Sequence, residues 1–149
     1  MKPLRTWVLI ADGARAHILE NSGAEHALVL VDGMSFSSDH SATHELVDDA
    51  LGRSGSAQGN VRTAGESRSD PHRNLKAKFA KQLADVLALE LSRGSFHRLI
   101  VVAPPATLGD LRSDMADAVK AVTAGELHLD LTKTPVHEVA SHLGNLLTI

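Results

Sequence analysis

A glutamine inside a run of glycine and serine is the first feature of this sequence that could do chemistry. The run GRSGSAQGN covers residues 52–60 and contains Gln58. Glycines remove Cβ crowding, so a loop of this kind lets a backbone N–H or an amide group approach a substrate and orient water. Gln58 is therefore the side chain of this run with the capacity to act on a bound partner. A plain linker has the same composition, and both interpretations stay open.

Basic residues are concentrated in and after this run. From Arg53 to Lys81 there are seven basic and two acidic residues, whereas the rest of the chain has eight basic and sixteen acidic residues. On a chain of net charge −3 this asymmetry indicates a polyanion partner at one end, and a solvated helix face is the simpler alternative. The candidate RNA-binding residues are Arg53, Arg62, Arg68, Arg73, Lys76, Lys78 and Lys81.

Two histidines and an aspartate are the candidates for a metal site. His40, His44 and Asp48 would share one face of a helix, and such a set is able to hold Zn²⁺. The spacing is not the His-Glu-x-x-His of zinc hydrolases, and the nine histidines are scattered along the chain. We therefore expect an acidic surface segment there, with neither a metal nor any other cofactor.

Length and composition restrict the class of protein. The chain has 149 residues, 43% hydrophobic and 22% charged, and no cysteine, which is typical of one globular domain without disulfides or thiolate metal sites. No apolar run approaches the roughly 18 residues of a membrane helix. The first run, Trp7–Ala11, is too short for a signal peptide. These features predict a single cytoplasmic domain over residues 1–149 without membrane contact.

Three strands and a turn are predicted at the start of the chain. Residues 6–11, 14–20 and 26–33 form short apolar or alternating runs. The pair Asp12-Gly13 favours a two-residue hairpin turn with positive φ. The three strands should therefore form an antiparallel meander.

The next segment has no sustained periodicity. Apart from a short apolar cluster near 40–51 that is compatible with a helix, residues from about 34 to 70 are polar and rich in glycine. A structureless stretch of this length inside a domain is usually functional or disordered. The sequence predicts a mobile loop there.

Helices and strands alternate after residue 70. Asp70-Pro71 and Thr134-Pro135 are pairs of a capping residue and a first-turn proline, and Thr107 opens an apparent capping arrangement with Asp110. The patterns predict helices over 71–92, from 107 and from 135, and strands over 97–103 and 125–131.

The order of the elements points to one class of fold. The order βββαβαβα, with right-handed crossovers, predicts an α/β domain with a mixed five-stranded sheet of order 3-2-1-4-5 and helices on both faces. This is a ribonuclease-H-like arrangement. Nucleases of that fold bind metal at an aspartate on the first strand, but they need several converging carboxylates. The sequence supplies no others near Asp12, so Asp12 and Gly13 are predicted to be turn residues.

Three stretches resemble a known family. WVLIADGARAHILE at 7–20, FHRLIVVAPPATLGDLR at 96–112 and ELHLDLTKTP at 126–135 resemble the bacterial host-attachment protein family, whose name refers to attachment to host cells. That family is in turn similar to the middle domain of archaeal and eukaryotic class-1 release factors and Pelota. The resemblance implies the ribonuclease-H-like fold and an RNA- or ribosome-contacting tip.

The release-factor resemblance gives the opening loop a specific interpretation. A Gly-Gly-Gln loop lies between the meander and the first long helix of release factors, and Gly55–Gly59 occupies that place here, with Ser56 and Ala57 instead of the two glycines. The resemblance implies either RNA contact or peptidyl-tRNA hydrolysis through Gln58. Because the glycines are replaced, we expect a protein that is not an enzyme. Hydrolysis and indirect action in cell-surface attachment through protein interactions are the alternatives.

The family motif gives the last candidate site. It comprises Pro104, Pro105, Thr107, Leu108, Gly109 and Arg112. The prolines stop a strand at its carboxyl end, where open sheets commonly bind ligands. A helix N-terminus near Thr107 and the charge of Arg112 would suit an anion, although a cap and a local ion pair explain these residues equally well.

Overall fold

The computed structural model describes residues 5–21, 28–38 and 71–147. The described strands are β1 (Thr6–Ala11), β2 (Arg15–Asn21), β3 (Val29–Ser37), β4 (Arg98–Val102) and β5 (Thr123–Leu127). The described helices are α1 (Pro71–Ser92), α2 (Pro105–Asp114), α3 (Asp117–Ala121) and α4 (Val136–Leu143), followed by a 3₁₀ turn at Gly144–Leu147.

The described strands form one mixed sheet in the order β3-β2-β1-β4-β5. β1 pairs antiparallel with β2 and parallel with β4, which lies between β1 and β5. The predicted strand order and directions are therefore confirmed. β1 and β4 are buried at every position, as expected for central strands that are covered on both faces.

Helices cover both faces of the sheet. Trp7 and Leu9 of β1 belong to a core cluster with Phe79 and Leu83 of α1 and with residues of α2 and α3. Val8 and Ile10 point to the opposite face, where Val139 of α4 belongs to the second cluster. This alternation follows from the period of two in a strand. No helix of the described ranges is both long and apolar enough to span a bilayer.

The structure corrects the predicted end of the meander. β3 continues to Ser37, whereas the sequence placed the strand end at Gly33 and the start of a loop near Met34. Its register with β2 shifts between the pairs Leu19–Leu30 and His17–Ser35, and Gly33 has φ 78°. The Asp-Gly pair at 32–33 thus lies in an irregular stretch within the strand, where residues 31–34 stand opposite the single residue Ile18. Glycine adopts the backbone of position 33 without strain.

Other element boundaries also differ from the predicted ones. α2 begins at Pro105 with Pro104 at its N-cap and without a side-chain cap, so Thr107 does not open the helix. Prolines are well suited to a helix start, since their missing N–H is not needed there. β5 covers 123–127 instead of 125–131, and α1 covers 71–92 as predicted.

Candidate nucleic-acid interface

The first half of α1 is the basic end of the described molecule. Residues 71–81 contain four basic and no acidic residues, whereas the remaining described residues contain seven basic and eleven acidic ones. All four basic side chains are exposed. The four basic residues are Arg73, Lys76, Lys78 and Lys81. The charge asymmetry seen in the sequence therefore persists in the folded part of the chain.

Arg73 is engaged by a carboxylate of the neighbouring helix. Its two terminal nitrogens donate to the two carboxylate oxygens of Asp110 in α2, with Nη1 2.7 Å from Oδ2. Such a bidentate pair is stronger than a single contact and has a fixed geometry. Arg73 thus holds the first turns of α1 against α2, and its charge is paired with Asp110.

The two outer lysines have weak acid partners or none. The Lys81 ammonium lies 4.0 Å from an Asp85 carboxylate oxygen, and both side chains are about two-thirds exposed (67% and 70%), so the pair contributes little. Lys78 forms no hydrogen bond or ion pair with any residue in the described ranges. The lysine surface, defined as Lys76, Lys78 and Lys81, is therefore available to an external anion.

Lys76 occupies a different position from the other two lysines. It lies three and four residues before the buried Phe79 and Ala80, which places it on the same side of α1 as these core residues. Its methylene chain lies against Gly13, because a Cβ on Gly13 would be only 2.7 Å from Lys76 Cγ. Lys76 is exposed although it lies on this side of α1, because it packs against the β1–β2 turn at the edge of the core.

The turn beneath Lys76 is closed by the side chain of Asp12. Oδ1 of Asp12 accepts hydrogen bonds from the backbone N–H groups of Ala14 (2.7 Å) and Arg15 (2.8 Å). The backbone N–H of Asp12 donates to the Arg15 carbonyl (2.9 Å) and Ala11 pairs with Ala16, so the turn lies between Asp12 and Arg15. Gly13 does not have the positive φ that the sequence predicted. The Asp12 carboxylate accepts the other hydrogen bonds that close this turn.

The loop that contains Thr132 contacts this turn. The Thr132 hydroxyl lies 3.2 Å from Asp12 Oδ2 and 2.6 Å from Asp130 Oδ1. Hydrogen bonds from the Thr132 hydroxyl and backbone N–H lower the pKa of Asp130. In the described ranges no group of three or more histidine and carboxylate side chains converges on a possible metal position. Asp12 therefore acts as a structural acceptor where these loops meet.

The residues of the family motif do not converge on one point. Thr107 and Leu108 lie on the buried side of α2, whereas Gly109 of the same helix is exposed. Pro104 connects β4 to this helix, and Pro105 is its first residue. Arg112 lies five residues beyond Thr107, and its Nε is 3.0 Å from Glu126 Oε1 of β5. This hydrogen bond and the charge of Glu126 raise the pKa of Arg112.

Several predicted residues lie outside the described residues. They are Gln58, the arginines Arg53, Arg62 and Arg68, the metal candidates His40, His44 and Asp48, and the predicted helix and mobile loop within 39–70. The segment that contains them connects β3 to α1. The structure places its neighbours Ser38 and Pro71 at the ends of these two elements.

Comparison with protein-family models decides the classification. The model for proteins described as required for attachment to host cells matches residues 7–143, which extends from the second residue of β1 to the end of α4. The chain belongs to this family. A search of curated proteins finds no match.

This host-attachment family member also resembles a solved structure of the translation apparatus. The archaeal translation termination factor aRF1 superposes with a TM-score of 0.50 and 13% sequence identity over 95% of this chain and 36% of that chain. The chain thus spans little more than a third of the length of the archaeal factor. At this identity the likeness concerns the fold alone.

Proposed function

We propose that this host-attachment family protein binds structured RNA, free or within the ribosome, and that it does so without catalysis. The observation that carries the proposal is the lysine surface, whose three exposed ammonium groups have at most one weak acid partner in the described structure. The rest of the described molecule is acidic, so its field orients this end toward phosphate. Arg53, Arg62 and Arg68, in the segment before α1, would extend the same surface.

The aromatic residues restrict the mode of binding to the phosphate backbone. The chain has one tryptophan, three phenylalanines and no tyrosine. Trp7, Phe79 and Phe96 are buried, and Phe36 packs against the same core. Without an exposed tryptophan, tyrosine or phenylalanine ring, bases lack the large aromatic platform used by many RNA-binding modules. Binding should therefore depend on phosphate contacts and shape, with little sequence preference.

The fold likeness supports RNA as the polyanion. The archaeal protein is a translation termination factor, and part of it superposes on 95% of this chain. The segment that contains Gln58 lies between β3 and α1 in the chain. A hydrolytic role for Gln58 is the alternative within this class. Indirect action on attachment through a protein partner is the alternative outside it.

Matched lysine variants test the proposal. We expect the double variant Lys78→Ala/Lys81→Ala to weaken binding of a fluorescent RNA hairpin, measured by anisotropy, by roughly tenfold, because two phosphate contacts are lost. Lys120→Ala/Lys133→Ala removes the same charge from exposed positions elsewhere and should change affinity much less. Equal losses in the two variants would show that only net charge matters and would refute a defined interface.

Two further measurements separate the alternatives. Gln58→Ala should leave RNA affinity unchanged, and the wild-type protein should not release peptide from peptidyl-tRNA. Peptide release that is lost in Gln58→Ala would replace the proposal with the hydrolase. Co-sedimentation with ribosomes distinguishes a ribosomal site from free RNA. Absence of binding to both hairpins and ribosomes at low salt would leave the protein-interaction alternative.

A further inference from the structure

We infer that Gly13 is a positioning residue that seats the side chain of Lys76 and directs its ammonium to a phosphate at the carboxyl end of β1. The inference rests on the proposed RNA binding, and it divides the lysine surface into two parts. Lys76 is a fixed contact, whereas Lys78 and Lys81 are adaptable contacts on the outer side of α1. Nothing in the sequence motif of an Asp-Gly turn suggests this role.

A methyl group on Gly13 would displace the side chain of Lys76 from its present position. A Cβ on Gly13 would lie 2.7 Å from Cγ, 2.8 Å from Cδ and 3.0 Å from Cε of Lys76, so three successive methylenes pass over the glycine. The backbone of Gly13 is not in the left-handed region. The backbone of the turn therefore does not require glycine at position 13. Glycine is favoured there because the methylene chain of Lys76 lies against it.

The β1–β2 turn and the start of α1, which meet in this contact, are both held in place by hydrogen bonds. The turn is closed by the Asp12 carboxylate, whose Oδ2 lies 3.2 Å from the Thr132 hydroxyl in the loop before α4. The helix start is held by the pair between Arg73 and Asp110. A lysine side chain confined between two fixed elements loses less rotamer freedom when it binds, and preorganisation of this kind increases affinity.

The chain offers a matched control for a glycine substitution. Gly109 is exposed on α2, has no positive φ, and an added Cβ there would meet no atom within 4 Å. Gly109→Ala should therefore fold and bind RNA like the wild type. Gly13→Ala introduces the same methyl group where the lysine stem must move.

A double-mutant cycle tests the inference. Gly13→Ala and Lys76→Ala should each weaken binding to the RNA hairpin by about fivefold, the effect of one exposed charge contact. The combined variant should bind no more weakly than Lys76→Ala alone, because the glycine acts only through the lysine. A Gly13→Ala variant with wild-type affinity, or with an equal further loss in the Lys76→Ala background, would overturn the inference.

A measurement without RNA tests the contact between Lys76 and Gly13 by itself. Reductive ¹³C-methylation retains the lysine charge, and the Lys76 methyl signal should show slow side-chain motion in the wild type and fast motion in Gly13→Ala. The combined variant should fold even if Gly13→Ala does not, since alanine at 76 removes the clash. An unchanged Lys76 signal in Gly13→Ala overturns the seating. Restricted motion in a wild type that binds no RNA would refute the RNA role of Lys76 and the proposed function, but not the seat.

Discussion

The lysines and the arginines of the two neighbouring helices α1 and α2 carry the same charge, but the fold uses them differently. Arg73 and Arg112 each pair with a carboxylate of a neighbouring element, Asp110 and Glu126. The lysines of α1 have no comparable partner in the described structure. A guanidinium forms a fixed two-pronged contact that suits a structural pair, whereas an ammonium is a mobile point charge. The count of charges in a sequence therefore overestimates those that are available to a ligand.

Charge reversal on the lysine surface should give the largest effect. Lys78→Glu/Lys81→Glu should reduce affinity for the RNA hairpin by about a hundredfold at low salt, because repulsion is added to the loss of two contacts. Anisotropy titrations measure it. The control Lys120→Glu/Lys133→Glu should change affinity by far less. If the two variants lose affinity to the same degree, the contrast between available and structural charges is not the cause.

Removal of Arg73 should affect stability more than binding. Arg73→Ala leaves the Asp110 carboxylate, 15% exposed, without its partner, and should lower the free energy of unfolding by about 1 kcal/mol. Denaturant unfolding measures the loss. Asp110→Asn is the matched variant and should destabilise similarly while Arg73 stays cationic. An Arg73→Ala variant that unfolds like the wild type but binds RNA as weakly as Lys78→Ala would assign Arg73 to the interface instead.

The ion pair between Arg112 and Glu126 should contribute less to stability than the pair between Arg73 and Asp110. The Arg112 side chain is 54% exposed and joins α2 to the edge strand β5. Arg112→Ala should lower the melting temperature by less than Arg73→Ala and leave RNA affinity unchanged, since solvent screens the pair. Glu126→Gln tests the same contact from the other side. A clear loss of RNA binding in Arg112→Ala, with Glu126→Gln normal, would support the anion site of the family motif.

The smallest predicted effect is a change in the pKa of Asp130, in the loop that contacts Asp12. The folded pKa of Asp130 is lowered by its hydrogen bonds from Thr132, so its contribution to stability is present above the ordinary aspartate pKa and is lost as pH falls through the folded value. Thr132→Ala should raise the pKa of Asp130 toward its ordinary value. A carboxyl NMR titration measures the shift. An Asp130 pKa that is the same in both proteins would show that Thr132 is not the cause.

The sheet could be predicted from the sequence because each strand leaves a strong local signal. The fully apolar runs of β1 and β4 mark the two central strands, and Pro71 marks the start of α1. β3 was predicted too short because residues from about 34 onward show no sustained periodicity, yet the strand continues to Ser37 past a shift in its register with β2. Local spacing alone cannot predict such a continuation, because the pairing with β2 decides it.

The site could be predicted only in part for a similar reason. Local charge density identified α1 as the basic end. The partners of Arg73 and Arg112 lie 37 and 14 residues away, and the seat of Lys76 on Gly13 lies 63 residues away. Only the folded arrangement brings these groups together. The sequence therefore located the basic surface but not the division between available and structural charges.

The salt dependence of RNA binding tests the central claim most directly. If the lysine surface neutralises phosphates, the logarithm of the association constant should fall linearly with the logarithm of salt concentration, with a slope of about −3 or steeper. In Lys78→Ala/Lys81→Ala the slope should become shallower by about 2, whereas Lys120→Ala/Lys133→Ala should keep the wild-type slope. A wild-type protein that binds the hairpin with no salt dependence, or a slope that the α1 lysines do not change, would contradict this account.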